Sequence, residues 1–208
     1  MPVPADNADA PCYAATMTSP IASLCLFCGS KPGTDPRHLA LAEAFGGFCA
    51  AQSLTLVYGG GGLGLMGAAA RAALAGGGRV VGILPQCLVE AEVAQAGLSE
   101  LRIAPTLHAR KAEMHDRSDA IVVLPGGIGT FDELFEVMTW RNLGLHDKPI
   151  WLLGAASYWE PFLAFLRHLD AEGFAYPRTL ALIEALDGLD TLAERVAASR
   201  IGPSRIGR

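Results

Sequence analysis

Short apolar runs alternate with segments of helical periodicity along most of this chain, and that alternation restricts its fold more than any other feature. Residues 24–27, 54–58, 80–84, 120–124 and 150–153 are aliphatic-rich and free of charge. Runs of this length without a polar alternation read as strands buried on both faces. The intervening segments, about 37–52, 64–74, 107–114, 131–143, 159–171 and 189–199, read as helices. Phe131, Leu134, Phe135 and Met138, for example, recur at i, i+3, i+4 and i+7. Residues 101–103 and 180–183 are expected as shorter strands, and 87–99 has no clear strand character. Strands alternating with helices imply a parallel sheet covered by helices on both faces, with right-handed crossovers.

Three of the expected strands run into glycine-containing loops: Gly29-Ser30, residues 59–62, and residues 126–130. All three fall at the carboxyl edge of the sheet, where ligands of open α/β folds bind. The last is the most informative, reading Leu124-Pro125-Gly126-Gly127-Ile128-Gly129-Thr130-Phe131-Asp132-Glu133. A glycine turn at a helix start lets backbone N–H groups approach an anion at the positive end of the helix. Glu133 is expected to project from the first helical turn, beside whatever the loop holds. The same residues also fit a capping box, Thr130-x-x-Glu133, with the glycines serving only a tight turn. On these residues alone, capping and chemistry stand level.

The stretch Gly59-Gly60-Gly61-Gly62-Leu63-Gly64-Leu65-Met66-Gly67 resembles a dinucleotide fingerprint only weakly. The following strand ends in Pro85-Gln86, with no acidic residue for a ribose 2′-hydroxyl. A Walker A reading fails because no Gly-Lys-Ser/Thr follows. What remains is a glycine loop able to approach a nucleotide or ribose. Arg110-Lys111 lies in the segment that reads as the third helix. Adjacent cations are by default a solvated face. The planar fork of Arg110 suits a carboxylate or phosphate, whereas Lys111 reads as facing water.

Composition narrows the classes. The 208 residues are 51% hydrophobic and 18% charged, which suits a soluble globular domain. The expected organisation is a loose extension over 1–20, one domain over 21–200 and a short tail over 201–208. There is no apolar run of membrane-spanning length and no secretory-type leader in the first twenty residues, so a cytoplasmic location is expected. A net charge of −5 argues against nucleic acid, and leaves room for one phosphorylated small molecule. Cys25-Leu26-Phe27-Cys28 has redox spacing but lies in a strand, so buried reduced thiols are expected rather than a thioredoxin-type pair. No second Cys pair or His pair completes a zinc site, and no metal or cofactor is expected.

Together these residues resemble the Lonely Guy family of cytokinin-activating phosphoribohydrolases. The family pattern PGGxGTxxE is matched in full by residues 125–133, and its upstream Arg-Lys pair by Arg110-Lys111. The resemblance extends to Phe27-Cys28-Gly29-Ser30, Gly64-Leu65-Met66-Gly67 and Thr139-Trp140, and runs from about residue 22 into the 170s. It implies a single Rossmann-like α/β domain that hydrolyses the N-glycosidic bond of a nucleoside 5′-monophosphate, giving an adenine-type base and ribose 5-phosphate. It implies Arg110 and Glu133 as catalytic residues. Substrate contacts would fall on Gly29, Ser30, Gly60, Met66, Glu92, Lys111, Gly126, Gly127, Ile128, Gly129, Thr130, Asp132 and Thr139. It also implies a homodimer. The family's Glu-Glu after the Gly-Thr pair is Asp132-Glu133 here, which shortens one side chain that could reach ribose. A general purine-nucleotide nucleosidase and a non-catalytic nucleotide or cofactor carrier are the rival readings. A pyridoxal-type decarboxylase is disfavoured, because none of the three lysines, Lys31, Lys111 and Lys148, has the context of a Schiff-base site.

Overall fold

The strands that the apolar runs predict all form, and they pair in one direction. The computed structural model describes residues 20–88, 94–175 and 178–200. In chain order these give β1 (Ser23–Phe27), α1 (Pro36–Ala51), β2 (Thr55–Tyr58), α2 (Gly64–Ala75), β3 (Val80–Pro85), β4 (Glu100–Ala104), α3 (Leu107–Asp116), β5 (Ala120–Val123), α4 (Ile128–Asn142), β6 (Ile150–Leu153), α5 (Ala156–Ala171), β7 (Glu184–Leu186) and α6 (Leu189–Arg200). The expected extension over 1–20 and tail over 201–208 lie outside the described residues but for Pro20, as does Glu92.

The sheet is parallel throughout, in the order β4-β3-β2-β1-β5-β6-β7. Its side chains alternate between two cores with the period of two that a strand imposes. Leu24, Leu26, Leu56, Tyr58 and Val122 pack with Ala42, Phe45 and Ala69 of α1 and α2. Cys25, Phe27, Val57, Ile121 and Leu152 pack with Met114, Leu134 and Phe162 of α3, α4 and α5. From β1 the chain moves outward through β2 and β3 to β4, then crosses back to place β5 on the other side of β1. A constant crossover hand with a reversed direction puts the helices of the two halves on opposite faces. The reversal opens a crevice between the carboxyl ends of β1 and β5, which is where such sheets bind ligands.

Local chemistry sets the element ends. Asp35 caps α1, its side chain accepting from Arg37 N at 2.9 Å, with Pro36 in the first helical position. Gly46 lets α1 and α2 cross closely, since a Cβ there would lie 2.1 Å from the Ala69 carbonyl oxygen. Cys25, Cys28 and Cys49 are buried and free, in line with the reduced-thiol reading.

Three expectations need correction. Residues 179–182 form a 3-10 turn, and the edge strand starts only at Glu184, where pairing with β6 begins. Leu182 and Ile183 pack against the core from that turn, so their apolar character reflects burial and not a ladder. The fifth helix begins at Ala156, three residues before the expected start, with Pro161 inside it. Phe135 is exposed although it fits the helical stripe of α4, whose buried residues are Thr130, Glu133, Leu134, Val137 and Met138.

Candidate active site

Two polar residues, Thr130 and Glu133, stand on the buried face of α4, in line with Leu134, Val137 and Met138. α4 begins at Ile128 with Gly127 as its N-cap, and no side chain caps it. Glu133 therefore sits in the second turn, and Thr130 is already inside the helix. The capping-box reading is excluded by this geometry, and the expected first-turn placement of Glu133 is corrected. The helix starts earlier because Ile128 and Gly129 take up its first positions, with Gly127 before them as the cap.

Burying a carboxylate requires a partner. Arg110 of α3 supplies it, with Nη1 2.9 Å from Glu133 Oε1. Arg110 is 9% exposed and Glu133 8%. Thr106 caps α3 by accepting from Ala109 N at 3.1 Å, which fixes the turn that carries Arg110. Arg110 Nε donates to the Ile83 carbonyl at the end of β3, at 3.0 Å. Gly59 leaves room for the rest of the fork, since a Cβ there would fall 2.0 Å from Arg110 Nη2. The guanidinium is thus held by β3, by α4 and by the absence of a side chain at the end of β2. Burial pushes the Glu133 carboxyl up to about 7, against the opposing pull of Arg110. Glu133 Oε2 takes no hydrogen bond from the described residues, and Glu133 lines the cleft.

Lys111, expected to face water, is buried instead. Its ammonium pairs with Asp132 Oδ2 at 2.9 Å and Glu136 Oε2 at 3.0 Å, a second link between α3 and α4. Burial works against its charge, but the two carboxylates outweigh this and raise its proton affinity. Asp132 keeps its side chain 60% exposed toward the cleft.

These residues line a cleft of roughly 820 Å³ at the β1/β5 crevice. Gly29, Ser30, Met66, Arg110, Lys111, Gly126, Gly127, Ile128, Gly129, Thr130, Asp132 and Glu133, all expected at the site, contribute to its wall. Gly60 and Thr139 do not line it. Gly60, at φ +82°, packs against β3, and the Thr139 hydroxyl donates to the Phe135 carbonyl at 2.7 Å. Cleft residues that the sequence reading did not single out are Lys31, Thr34, His38, Leu107 and Tyr158. No local pattern marks them, except that Lys31 directly follows Gly29-Ser30 and Thr34 lies three residues further on.

The two glycine loops differ in what they do. At the start of α2 the N–H groups of Leu65 and Met66 turn to the Gly29 carbonyl, at 3.0 and 3.4 Å. A Cβ at Gly64 would lie 2.3 Å from the Ser30 carbonyl carbon. That loop is closed by the protein itself, and its glycines serve close packing. In the loop before α4, Gly127 and Gly129 have ordinary φ, and a Cβ at either would meet nothing within 4 Å. Nothing in the folded chain demands glycine at these two positions. The space they leave open lies on the cleft at a helix N-terminus, where an anion can approach the backbone. Ile128 between them is 91% exposed.

Fold and site define a class: a Rossmann-type α/β protein whose switch-point cleft joins an uncapped helix N-terminus to a buried guanidinium–carboxylate pair. A family model described as a possible lysine decarboxylase matches residues 66–196. A cytokinin riboside 5′-monophosphate phosphoribohydrolase of Rhodococcoides fascians is 46% identical over 158 residues, covering 76% of this chain and 80% of that protein. One of Arabidopsis thaliana is 38% identical over 173 residues, covering 83% and 81%. The molybdenum cofactor carrier protein of Chlamydomonas reinhardtii superposes with a TM-score of 0.64 at 22% identity, over 86% of this chain and 99% of that one, a likeness of fold. The chain belongs to the Lonely Guy family of cytokinin riboside 5′-monophosphate phosphoribohydrolases. Two of the three lysines are already engaged within the protein: Lys111 is ion-paired, and Lys148 Nζ donates to the His115 carbonyl at 2.6 Å.

Proposed function

We propose that this protein hydrolyses the N-glycosidic bond of adenosine 5′-monophosphates, cytokinin riboside 5′-monophosphates among them, giving the free base and ribose 5-phosphate. The observation that carries the reading is the buried Arg110–Glu133 pair at the wall of the cleft, beside the uncapped start of α4. A carrier that only holds a nucleotide needs no carboxylate buried next to the ribose. The named activity of the relatives supports the same reading.

The substrate's phosphate lies against the N–H groups at the start of α4, with Thr130 close by. That anchorage turns binding energy into placement of C1′. Glu133, in the second turn of the same helix, faces C1′. Breaking the C1′–N bond develops oxocarbenium character on the sugar, which an ionised carboxylate stabilises. Glu133 also accepts the proton of the attacking water as general base. The water oxygen ends on C1′, the departing base nitrogen gains a proton from solvent, and Glu133 returns to solvent the proton it took. Arg110 orients Glu133 through the 2.9 Å contact and holds part of its negative charge. Asp132, half open to the cleft, accepts from a ribose hydroxyl. Glu92 and Thr139 complete the contacts expected from the family, the latter across a homodimer interface formed by the outer face of α4. The protein works in the cytoplasm.

The direct test is incubation with AMP and with N6-isopentenyl-AMP, following base and ribose 5-phosphate together. Equal amounts of both products are expected. Nucleotide binding without release of base would support a carrier instead.

A further inference from the structure

We propose that Tyr158 is a positioning residue that locks the first peptides of the glycine turn and so aims the amides that hold the substrate's phosphate. The proposal rests on the reading of the cleft given above and adds to it a residue from a different element, α5.

The Tyr158 hydroxyl accepts from Gly126 N at 2.9 Å and donates to Gly126 O at 2.5 Å. One hydroxyl therefore takes up both backbone polar groups of one glycine, using its single proton and a lone pair. The two peptide planes that meet at Gly126 are fixed by this arrangement. In a trans peptide the C=O of one residue and the N–H of the next point in opposite directions, and no cis bond occurs among the described residues. With the Gly126 carbonyl held by Tyr158, the Gly127 N–H is turned the other way. It then joins the amides of Ile128 and Gly129 at the helix start.

The remaining sides of Gly126 are also closed. A Cβ on it would fall 2.0 Å from Thr130 Oγ1 and 2.8 Å from Gly29 N. The tyrosine ring is held in turn by His38, at 5.6 Å between centroids, and by Trp159, at 4.9 Å, both edge-on. Gly154, at φ +143°, brings the start of α5 against the turn, since a Cβ there would lie 3.1 Å from the Pro125 ring. A packed ring with its hydroxyl on the backbone of an otherwise open glycine turn is pre-organisation of a binding loop.

Tyr158→Phe keeps the ring contacts and removes only the hydroxyl. Three quantities are compared with wild type: steady-state hydrolysis of AMP, competition by inorganic phosphate, and binding of adenosine, which lacks the phosphate. The expected result is a rise of about tenfold in KM for AMP and in the phosphate inhibition constant. kcat should change less than about threefold, and adenosine affinity should not move. Unchanged phosphate and AMP constants would overturn the proposal. So would an equal loss for adenosine and AMP, which would mark a general loosening of the fold. If wild type binds phosphate but releases no base, the hydrolase reading fails alone. Calorimetric titration of the two proteins with phosphate then still decides the role of the tyrosine.

Discussion

At the scale of single residues, the central feature is a carboxylate placed where an α4 of purely structural purpose would carry an aliphatic side chain. Thr130, Glu133, Leu134, Val137 and Met138 form one buried stripe, so Glu133 is a core position occupied by an acid. Its burial raises the carboxyl from the ordinary 4.5 to about 7, and Arg110 restrains that rise without cancelling it. Two pH effects follow. The mechanism needs Glu133 ionised, so kcat/KM for AMP should climb as pH rises, with a midpoint near 7. The substrate's own phosphate ionises near about pH 6, below that midpoint. Stability should run the other way. The native state holds the Glu133 proton more tightly than the unfolded chain does. This group's contribution is therefore full below about pH 4.5 and is lost as pH rises to about 7. Urea midpoints measured across that range should show a fall that Glu133→Gln removes. An activity profile flat between pH 5 and 8 would contradict the role given to Glu133.

At the scale of elements, α4 is proposed both to bind and to react. Its N-terminus opens on the cleft and its second turn carries the acid. Gly127 and Gly129 are not required by the fold, so a methyl group at Gly129 should be tolerated by the protein and not by the ligand. Gly129→Ala is expected to leave the thermal midpoint unchanged or raise it, with a gain of up to about 1 kcal/mol. KM for AMP should rise at least about tenfold, since the added carbon stands where the phosphate meets the backbone. Steady-state kinetics beside thermal melts separate the two effects, and an unchanged KM would place the phosphate elsewhere. The elements were largely legible in the sequence because buried parallel strands are short apolar runs punctuated by glycine. Residues 180–183 misled because an apolar turn packed on the core has the same composition as a strand. The loop before α4 was legible from residue type and spacing, whereas the Arg110–Glu133 pair followed only from the resemblance to the family motif. The burial of Lys111 was not, because it depends on Asp132 and Glu136 of another helix coming within 3.0 Å. Tyr158 was missed for the same kind of reason. Only the tertiary approach of α5 to Gly126 gives its hydroxyl a task.

At the scale of the whole molecule, the site belongs to neither half of the sheet. Arg110 comes from the helix that crosses between the halves, the Gly29-Ser30 turn from β1, the glycine loop from β5 and Tyr158 from beyond β6. A net charge of −5 is compatible with an anionic substrate because the charge that matters is local: Lys31 lines the cleft, and the carboxylates beside Arg110 and Lys111 are paired with them. In the proposed mechanism, holding the nucleotide and cleaving it fall to different turns of one helix. The most direct measurement exploits that separation: AMP affinity by calorimetry and adenine release by chromatography, on wild type and Glu133→Gln side by side. The account predicts that the variant binds AMP within about threefold of wild type and releases adenine at least about a hundredfold more slowly. Release of adenine by Glu133→Gln at a rate close to wild type would contradict it.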